Sequence, residues 1–209
     1  APDSIRFGGI FASFYKWREG VGPAKSRPWM HNYVWGGKET NRVGTHEFVD
    51  LCRRVGAEPF YCVNFMADGR PEYIRTWDGQ NRSGDAKEAA DWVSYSNDPD
   101  NRERKAHGIA APYNLKLWQL GNETSYSKTG FNREQAIAAT IEFARAMRQR
   151  DPSIKLIGWG DWGTGPAGRR AQPASARIQG HRRADTHDVR GTGHPGRNGR
   201  HRDPAVLHG

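Results

Sequence analysis

The chain has 209 residues, a formal net charge of +9 and two cysteines. Two cysteines cannot form the disulfide framework of a small secreted domain, and Cys62 lies in an apolar segment where a reduced, buried thiol is expected. No apolar run approaches the roughly 20 residues that span a bilayer, so we expect no membrane partner. We favour a cytoplasmic location, although the first residues, Ala1 to Ser4, leave a removed signal peptide open.

The positive charge is concentrated in residues 169–209, which hold nine Arg, three Asp and no Trp, Tyr or Phe. Such a segment cannot bury enough apolar surface to fold. It has three competing explanations: a basic arm for nucleic acid or acidic partners, a linker, or out-of-frame translation. We favour the third, because the codons for 180–189 read one base later permit an apolar, strand-like run. We therefore predict a frameshift between Gly160 and Arg170, a folded domain at 1–168, a disordered tail at 169–209 and no nucleic-acid partner.

The first predicted helix runs from Thr45 to about Arg54. Thr45 is expected to cap its N-terminus and Gly56 to stop its C-terminus. An apolar run at 59–65 then predicts a strand buried on both faces. The inward face of the helix is expected to consist of Phe48, Leu51, Cys52 and Val55.

A second helix is predicted from Ser83 or Asp85 to about Tyr95, because its apolar residues recur at helical spacing. Its inward face is expected to consist of Ala89, Trp92 and Val93. After a polar stretch, residues 115–123 predict a second buried strand that ends in Gly-Asn-Glu.

A third helix is predicted between Asn132 and Asp151, since Asn132 and Gln135 are spaced as a capping box and a proline follows at its end. Residues 154–158 predict the next strand. Buried strands that alternate with helices indicate an α/β fold with a parallel sheet and crossover helices. The inward residues of the third helix are expected to be Ile137, Ile141, Ala144 and Met147.

Asn122 and Glu123 close the second strand and place an amide beside a carboxylic acid at its carboxyl end. Barrel enzymes keep their catalytic groups at this end of the strands. An acid catalyst for a glycosidic bond must hold its proton near neutral pH, which a partly apolar wall favours, and Trp118 could supply that wall. The alternative from these two residues alone is a helix-capping Asn followed by an exposed Glu.

The segment Trp118-Gln-Leu-Gly-Asn-Glu123 resembles a strand end of the α-L-arabinofuranosidases of glycoside hydrolase family 51. The resemblance covers roughly residues 5–160. Further motifs follow in the family's order: Arg6-Phe-Gly-Gly-Ile-Phe11, Tyr15-Lys-Trp-Arg-Glu-Gly-Val-Gly-Pro23, Trp35-Gly-Gly-Lys-Glu-Thr-Asn41, Gly44-Thr-His-Glu-Phe48, Gly56-Ala-Glu-Pro59, Val63-Asn64, Trp92-Val-Ser-Tyr95 and Asp151-Pro-Ser-Ile-Lys155.

The resemblance implies a partial (β/α)8 TIM barrel without its C-terminal strands, and retaining hydrolysis of terminal α-L-arabinofuranosyl units of plant polysaccharides and oligosaccharides. It implies that Glu123 is the general acid/base and that Asn122 binds the sugar. Further substrate-binding candidates are Arg6, Trp35, Asn64 and Trp118. We expect a carbohydrate substrate, no cofactor and no metal, and the complete enzyme could be an oligomer.

Three of these candidates have a structural alternative. Trp35 could be core packing, Asn64 a strand-end amide that satisfies the backbone, and Arg6 a structural ion-pair partner. The segment from Arg6 to Ile10 also departs from the family's usual Arg-x-Pro-Gly-Gly-Asn, because it is one residue short and lacks the Asn.

A retaining glycosidase needs a second carboxylate about 5 Å from the first as its nucleophile. In the family it comes from the seventh strand, and no Glu follows Glu142 in this chain. We therefore expect this polypeptide to be inactive. One alternative is another retaining glycosidase of the same barrel type, xylosidase-like or xylanase-like. The other is a non-catalytic carbohydrate-binding remnant with a basic arm.

Two further patterns carry less weight. Residues 163–168 match the dinucleotide-binding Gly-x-Gly-x-x-Gly, but Pro166 argues against the helix that this motif requires. His31, His46 and His107 lack metal-ligand spacing, and we expect them to be surface or packing residues.

Overall fold

The structure is a computed structural model that describes residues 3–32, 34–74, 81–124 and 130–158. The predicted tail and frameshift lie outside the described residues. The strands are β1 (Ser4–Phe7), β2 (Met30–His31), β3 (Lys38–Glu39), β4 (Glu58–Val63), β5 (Leu117–Leu120) and β6 (Lys155–Ile157). The α-helices are α1 (Thr45–Val55), α2 (Pro71–Ile74), α3 (Ala86–Asn97), α4 (Arg102–Ala106) and α5 (Arg133–Arg150). Short 3-10 turns lie at Ile10–Ser13, Trp17–Gly20, Ala24–Ser26 and Met66–Gly69.

The main sheet contains β1, β4, β5 and β6 side by side in that order, and all neighbouring pairs are parallel. Helix α1 lies between β1 and β4 in the chain, α3 and α4 lie between β4 and β5, and α5 lies between β5 and β6. Parallel neighbours separated by helices confirm the predicted α/β architecture. The hairpin of β2 and β3 was not predicted, because strands of two residues give no periodic signal.

One face of the sheet forms the main core. The register aligns Phe7, Tyr61, Trp118 and Leu156 across the four strands. All four belong to or pack against the core cluster, which also includes Phe48 of α1, Trp92 of α3 and Phe143 of α5. The opposite face is less covered at the edge strand β6, where Lys155 is exposed and Ile157 is 39% exposed, although Cys62 and Gln119 are buried on the same face of β4 and β5. Among the described residues, the helices therefore cover one face of the sheet better than the other.

Helix α1 differs from the prediction at its start and on its inward face. Thr45 does not cap the helix: it is fully buried, and its Oγ1 accepts a hydrogen bond from Trp92 Nε1 at 3.0 Å. The N-terminal cap is Gly44, whose backbone N–H donates to Glu47. Gly56 ends the helix in the left-handed region, as predicted. Leu51 and Val55 were wrongly placed inside, because the buried stripe runs through Thr45, Phe48, Val49 and Cys52.

The caps of the other two predicted helices are confirmed, but one inward face is rotated. Asp85 caps α3 by accepting from Glu88 N–H, and Asn132 and Gln135 form the predicted box at the start of α5. The residues that α5 buries are Ala139, Phe143 and Met147. Of the four predicted there, only Met147 is fully buried, because the stripe follows i, i+4, i+8 spacing and leaves the two Ile at its border. None of the described helices combines the length and the apolar composition of a membrane span.

Candidate functional site

An open cavity of about 340 Å³ lies beyond the carboxyl ends of β1 and β5. Because these strands flank β4 in a parallel sheet, their carboxyl ends meet at one edge. Glu123 is the only Asp or Glu among its described lining residues. The lining residues are Arg6, Gly8, Gly9, Ile10, Asn122 and Glu123.

Arg6 and Asn122 are joined across this edge. Arg6 Nη2 donates a hydrogen bond to Asn122 Oδ1, and Arg6 remains exposed whereas Asn122 is buried. Gly8 permits the close approach of β1 and β4, since a Cβ there would lie 2.6 Å from Cys62 Cβ. The structure thus brings three of the predicted site residues together: Arg6, Asn122 and Glu123.

The turn that carries Glu123 has an unusual backbone. Gly121 and Glu123 both lie in the left-handed region, with φ of 73° and 49°. A Cβ on Gly121 would lie 2.5 Å from Asp68 Oδ1, so the residue must be glycine on both counts. Arg70 Nη2 donates to the Glu123 carbonyl at 2.7 Å, and Asn122 N–H donates to Asp68 Oδ1 at 3.0 Å. The backbone on both sides of the Asn122–Glu123 bond is therefore held from the loop after β4.

That loop contains a functional candidate that the sequence analysis missed. Met66, Ala67 and Asp68 have φ of 51°, 52° and 53°, and Gly69 follows at 69°. Non-glycine residues in this region cost about 1–3 kcal/mol each. The only sequence signal is the dipeptide Asp68-Gly69, which is typical of turns. The Asp68 carboxylate is fully buried and accepts hydrogen bonds from the Ser13 hydroxyl and Asn122 N–H.

Burial raises the pKa of Asp68 to about 6. The hydrogen bonds from Ser13 and Asn122 and the positive charge of Arg70 act in the opposite direction, and the nearby Glu123 carboxylate adds to the rise. Because the pKa in the native state exceeds the ordinary value near 3.9, the native state binds the proton more tightly than the unfolded state. Proton binding by Asp68 therefore stabilises the native state. This stabilisation is complete below about pH 4 and is lost as the pH rises through 6.

We expect Asp68→Asn to remove this pH dependence, since an amide cannot ionise. Between pH 4 and pH 7, the free energy of unfolding of the unsubstituted chain should fall by about 2–3 kcal/mol relative to that of Asp68→Asn. Urea unfolding at a series of pH values measures the difference. The control is Asp50→Asn, because the Asp50 side chain is 50% exposed. If the difference in the free energy of unfolding between Asp68→Asn and the unsubstituted chain stays constant with pH, the raised pKa of Asp68 is contradicted.

Three other predicted site residues lie elsewhere. Trp118 was wrongly predicted to bind substrate and to form the apolar wall beside Glu123: its side chain is fully buried, and its indole N–H donates to Leu115 O at 3.2 Å. The alternation of side chains along β5 directs it to the helix-covered face. Trp35 is 76% exposed in the loop between β2 and β3, which excludes core packing. It is not among the described residues that line the cavity.

Asn64 follows β4 and is buried. Its Nδ2 donates to the carbonyls of Tyr15 and Arg82 at 3.2 and 2.7 Å, and its Oδ1 accepts from Ala67 N–H at 3.0 Å. The side chain thus satisfies the backbone of three segments, as in the structural alternative. No group of three or more potential ligands that could hold a metal ion occurs within the described part of the chain.

The fold and the cavity define an α/β protein with its candidate site at the carboxyl ends of parallel strands. The family model of the alpha-L-arabinofuranosidase 1 domain matches residues 1–191. The "probable alpha-L-arabinofuranosidase C" of Aspergillus fumigatus is 35% identical over 167 residues, which cover 77% of this chain and 30% of that protein.

Solved structures give the same result. The arabinose complex of the α-L-arabinofuranosidase from Thermotoga maritima is 34% identical, with a TM-score of 0.62, and the match covers 73% of this chain and 30% of that one. The GH51 α-L-arabinofuranosidase from Thermotoga petrophila is 33% identical, with a TM-score of 0.63 and coverage of 74% and 30%. The chain belongs to the α-L-arabinofuranosidases of glycoside hydrolase family 51. It spans about 30% of the length of these relatives.

Proposed function

We propose that this chain carries the acid/base and part of the sugar-binding site of a retaining α-L-arabinofuranosidase, on part of a (β/α)8 barrel. The observation that carries the proposal is Glu123, the only described carboxylate in a cavity that also presents Arg6 and Asn122. The parallel strand order and the incompletely covered second face of the sheet support the partial barrel, since parallel sheets are ordinarily covered on both faces.

Each of the three residues has a role that its geometry supports. Glu123 protonates the oxygen that leaves with the aglycone, as the general acid of a glycosidase does. Asn122 Oδ1 already accepts from Arg6, so its Nδ2 hydrogens are the ones that can donate to a sugar hydroxyl. The Arg6 guanidinium orients that amide and can donate to the sugar with its remaining N–H groups.

Turnover needs a second carboxylate on the opposite face of the sugar. Among the described residues, Glu123 is the only carboxylate that lines the cavity. We propose that the 209-residue polypeptide binds an arabinofuranoside but does not hydrolyse it. Its predicted division into a barrel part at 1–168 and an out-of-frame tail at 169–209 belongs to the same proposal. An external anion such as azide can take the place of the second carboxylate, which the described lining of the cavity does not include, by attacking the anomeric carbon while Glu123 protonates the leaving oxygen.

The substrate class we propose is a terminal α-L-arabinofuranosyl unit, as in the side chains of plant polysaccharides. The arabinose bound to the Thermotoga maritima relative supports this choice. The first alternative, a xylosidase-like enzyme, would prefer a xylopyranoside.

We expect methyl α-L-arabinofuranoside to bind to the full chain and to shift the amide NMR signals of Asn122 and Glu123. Methyl β-D-xylopyranoside should bind more weakly. Asn122→Ala should weaken arabinofuranoside binding about tenfold, the loss expected for one or two hydrogen bonds. The matched control is Asn101→Ala, since Asn101 caps α4 rather than lining the cavity. Equal binding of the two sugars would contradict the substrate class.

A further inference from the structure

Asp68 connects the segments that follow three neighbouring strands. It lies in the turn Met66–Gly69 after β4, and its carboxylate reaches Ser13, in the turn after β1, and the backbone of Asn122, after β5. Its relative exposure is 0%, so the carboxylate cannot contact a substrate in the cavity. Its partners instead belong to the segments that form the cavity edge.

We propose that Asp68 is a positioning residue for the acid/base: its carboxylate, together with Arg70, fixes the turn that aims Glu123 into the cavity. This inference rests on the proposed role of Glu123. Asp68 holds the N–H of Asn122 and Arg70 holds the carbonyl of Glu123 at 2.7 Å. These two bonds fix the peptide groups on either side of Asn122 and Glu123.

The backbone geometry supports a positioning role over plain packing. Glu123 has φ of 49°, a conformation that a non-glycine residue adopts only when its surroundings impose it. The turn that carries Asp68 is left-handed at three successive non-glycine residues. Two strained segments therefore face each other, and the bond from Asn122 N–H to Asp68 joins them. The absence of a side chain on Gly121 permits this approach.

A side chain that only filled space at this position would not need to be an acid. The carboxylate accepts from two donors on different segments, and the Arg70 guanidinium provides a positive charge nearby. The other titratable groups that face it are the carboxyl of Glu123 and the buried thiol of Cys62. Since a carboxylate has two acceptor oxygens, Asp can serve both donors at once, whereas an aliphatic residue would leave both unsatisfied.

The first test follows the amide NMR signals of the full chain between pH 4.5 and 7.5. We expect the Asn122 and Glu123 amides to move with a shared midpoint near 6, as Asp68 ionises. Asp68→Asn should abolish this movement while the rest of the spectrum is retained, and Ser13→Ala should shift its midpoint. Asp50→Asn should leave it unchanged. The inference is overturned if the two amides move identically in Asp68→Asn and in the unsubstituted chain.

The second test distinguishes a positioning role of Asp68 from a role in folding alone. It compares two substrates whose leaving groups differ in their need for a proton. In azide-dependent cleavage, Asp68→Ala should slow release from phenyl α-L-arabinofuranoside about 10²-fold, because a misplacement of about 1 Å has that effect. Release from the 2,4-dinitrophenyl arabinofuranoside, whose leaving group needs no proton, should change little. Asp68→Asn should retain most of the rate that Asp68→Ala loses, because the amide keeps one acceptor oxygen. Equal slowing of both substrates would indicate a merely structural role and overturn the inference.

The two tests distinguish failure of this inference from failure of the proposed function. If the unsubstituted chain shows neither arabinofuranoside binding nor azide-dependent cleavage, the proposed function is wrong. A shared titration of the two amides that Asp68→Asn removes would then still support the contact between Asp68 and the Glu123 turn. If binding and cleavage are present but the amides do not respond to Asp68, the inference alone is wrong.

Discussion

Replacement of Trp118 with alanine is expected to lower the free energy of unfolding by about 3–5 kcal/mol. The indole is fully buried on the helix-covered face of the sheet. Its ring centre lies 5.4 Å from that of Trp92 on α3 and 5.7 Å from that of Tyr61 on β4. Alanine would leave a cavity between the sheet and α3 and would remove both aromatic contacts.

Urea unfolding followed by far-UV circular dichroism measures this effect. The matched control is Trp35→Ala, which removes an equally large side chain that is 76% exposed. The control should change the free energy of unfolding by no more than about 0.5 kcal/mol. Similar losses for the two variants would show that Trp118 does not occupy the core described above.

Glu123→Gln is expected to lower azide-dependent cleavage of phenyl α-L-arabinofuranoside by about 10²–10⁴-fold, the usual contribution of a general acid. The amide keeps the size of the side chain but cannot give a proton to the leaving phenolate. The fold should be retained, because Glu123 contributes a backbone carbonyl, and not its carboxylate, to the contact with Arg70.

The leaving group provides the internal control. Cleavage of the 2,4-dinitrophenyl arabinofuranoside should be nearly unaffected by Glu123→Gln, because dinitrophenolate leaves without a proton. Glu142→Gln, on the exposed surface of α5, should change neither rate. If Glu123→Gln lowers the cleavage rates of both substrates to the same extent, Glu123 acts in binding or folding and not in acid catalysis.

The sequence predicts those parts of the fold that have strong local signals. Gly56 at the end of α1, Asp85 before α3, and Asn132 with Gln135 before α5 are confirmed, because each satisfies backbone groups of its own helix. Inward faces are predicted less well. Which side of α5 is buried depends on its neighbours, such as Phe65, whose ring centre lies 4.8 Å from that of Phe143.

The site is predictable where its residues are adjacent in sequence and not where they are distant. Asn122 and Glu123 share one strand end, so one motif identifies both. Asp68 has no motif of its own, because its role depends on Ser13 and Asn122, which are 55 and 54 residues away in the chain. The prediction that Trp118 belongs to the site was wrong, because nearness in sequence to Glu123 does not determine the face of the strand to which a side chain points.

The proposed role of Glu123 as an acid without a nucleophile partner can be checked by the rate at which the full 209-residue chain releases phenol from phenyl α-L-arabinofuranoside, with and without azide. We expect no release above background without azide. With azide, we expect phenol release together with formation of a β-L-arabinofuranosyl azide of inverted configuration. Equal release without azide would contradict this role by showing that the chain supplies its own nucleophile. A folded chain that releases nothing under either condition would contradict the assignment of Glu123 as the acid.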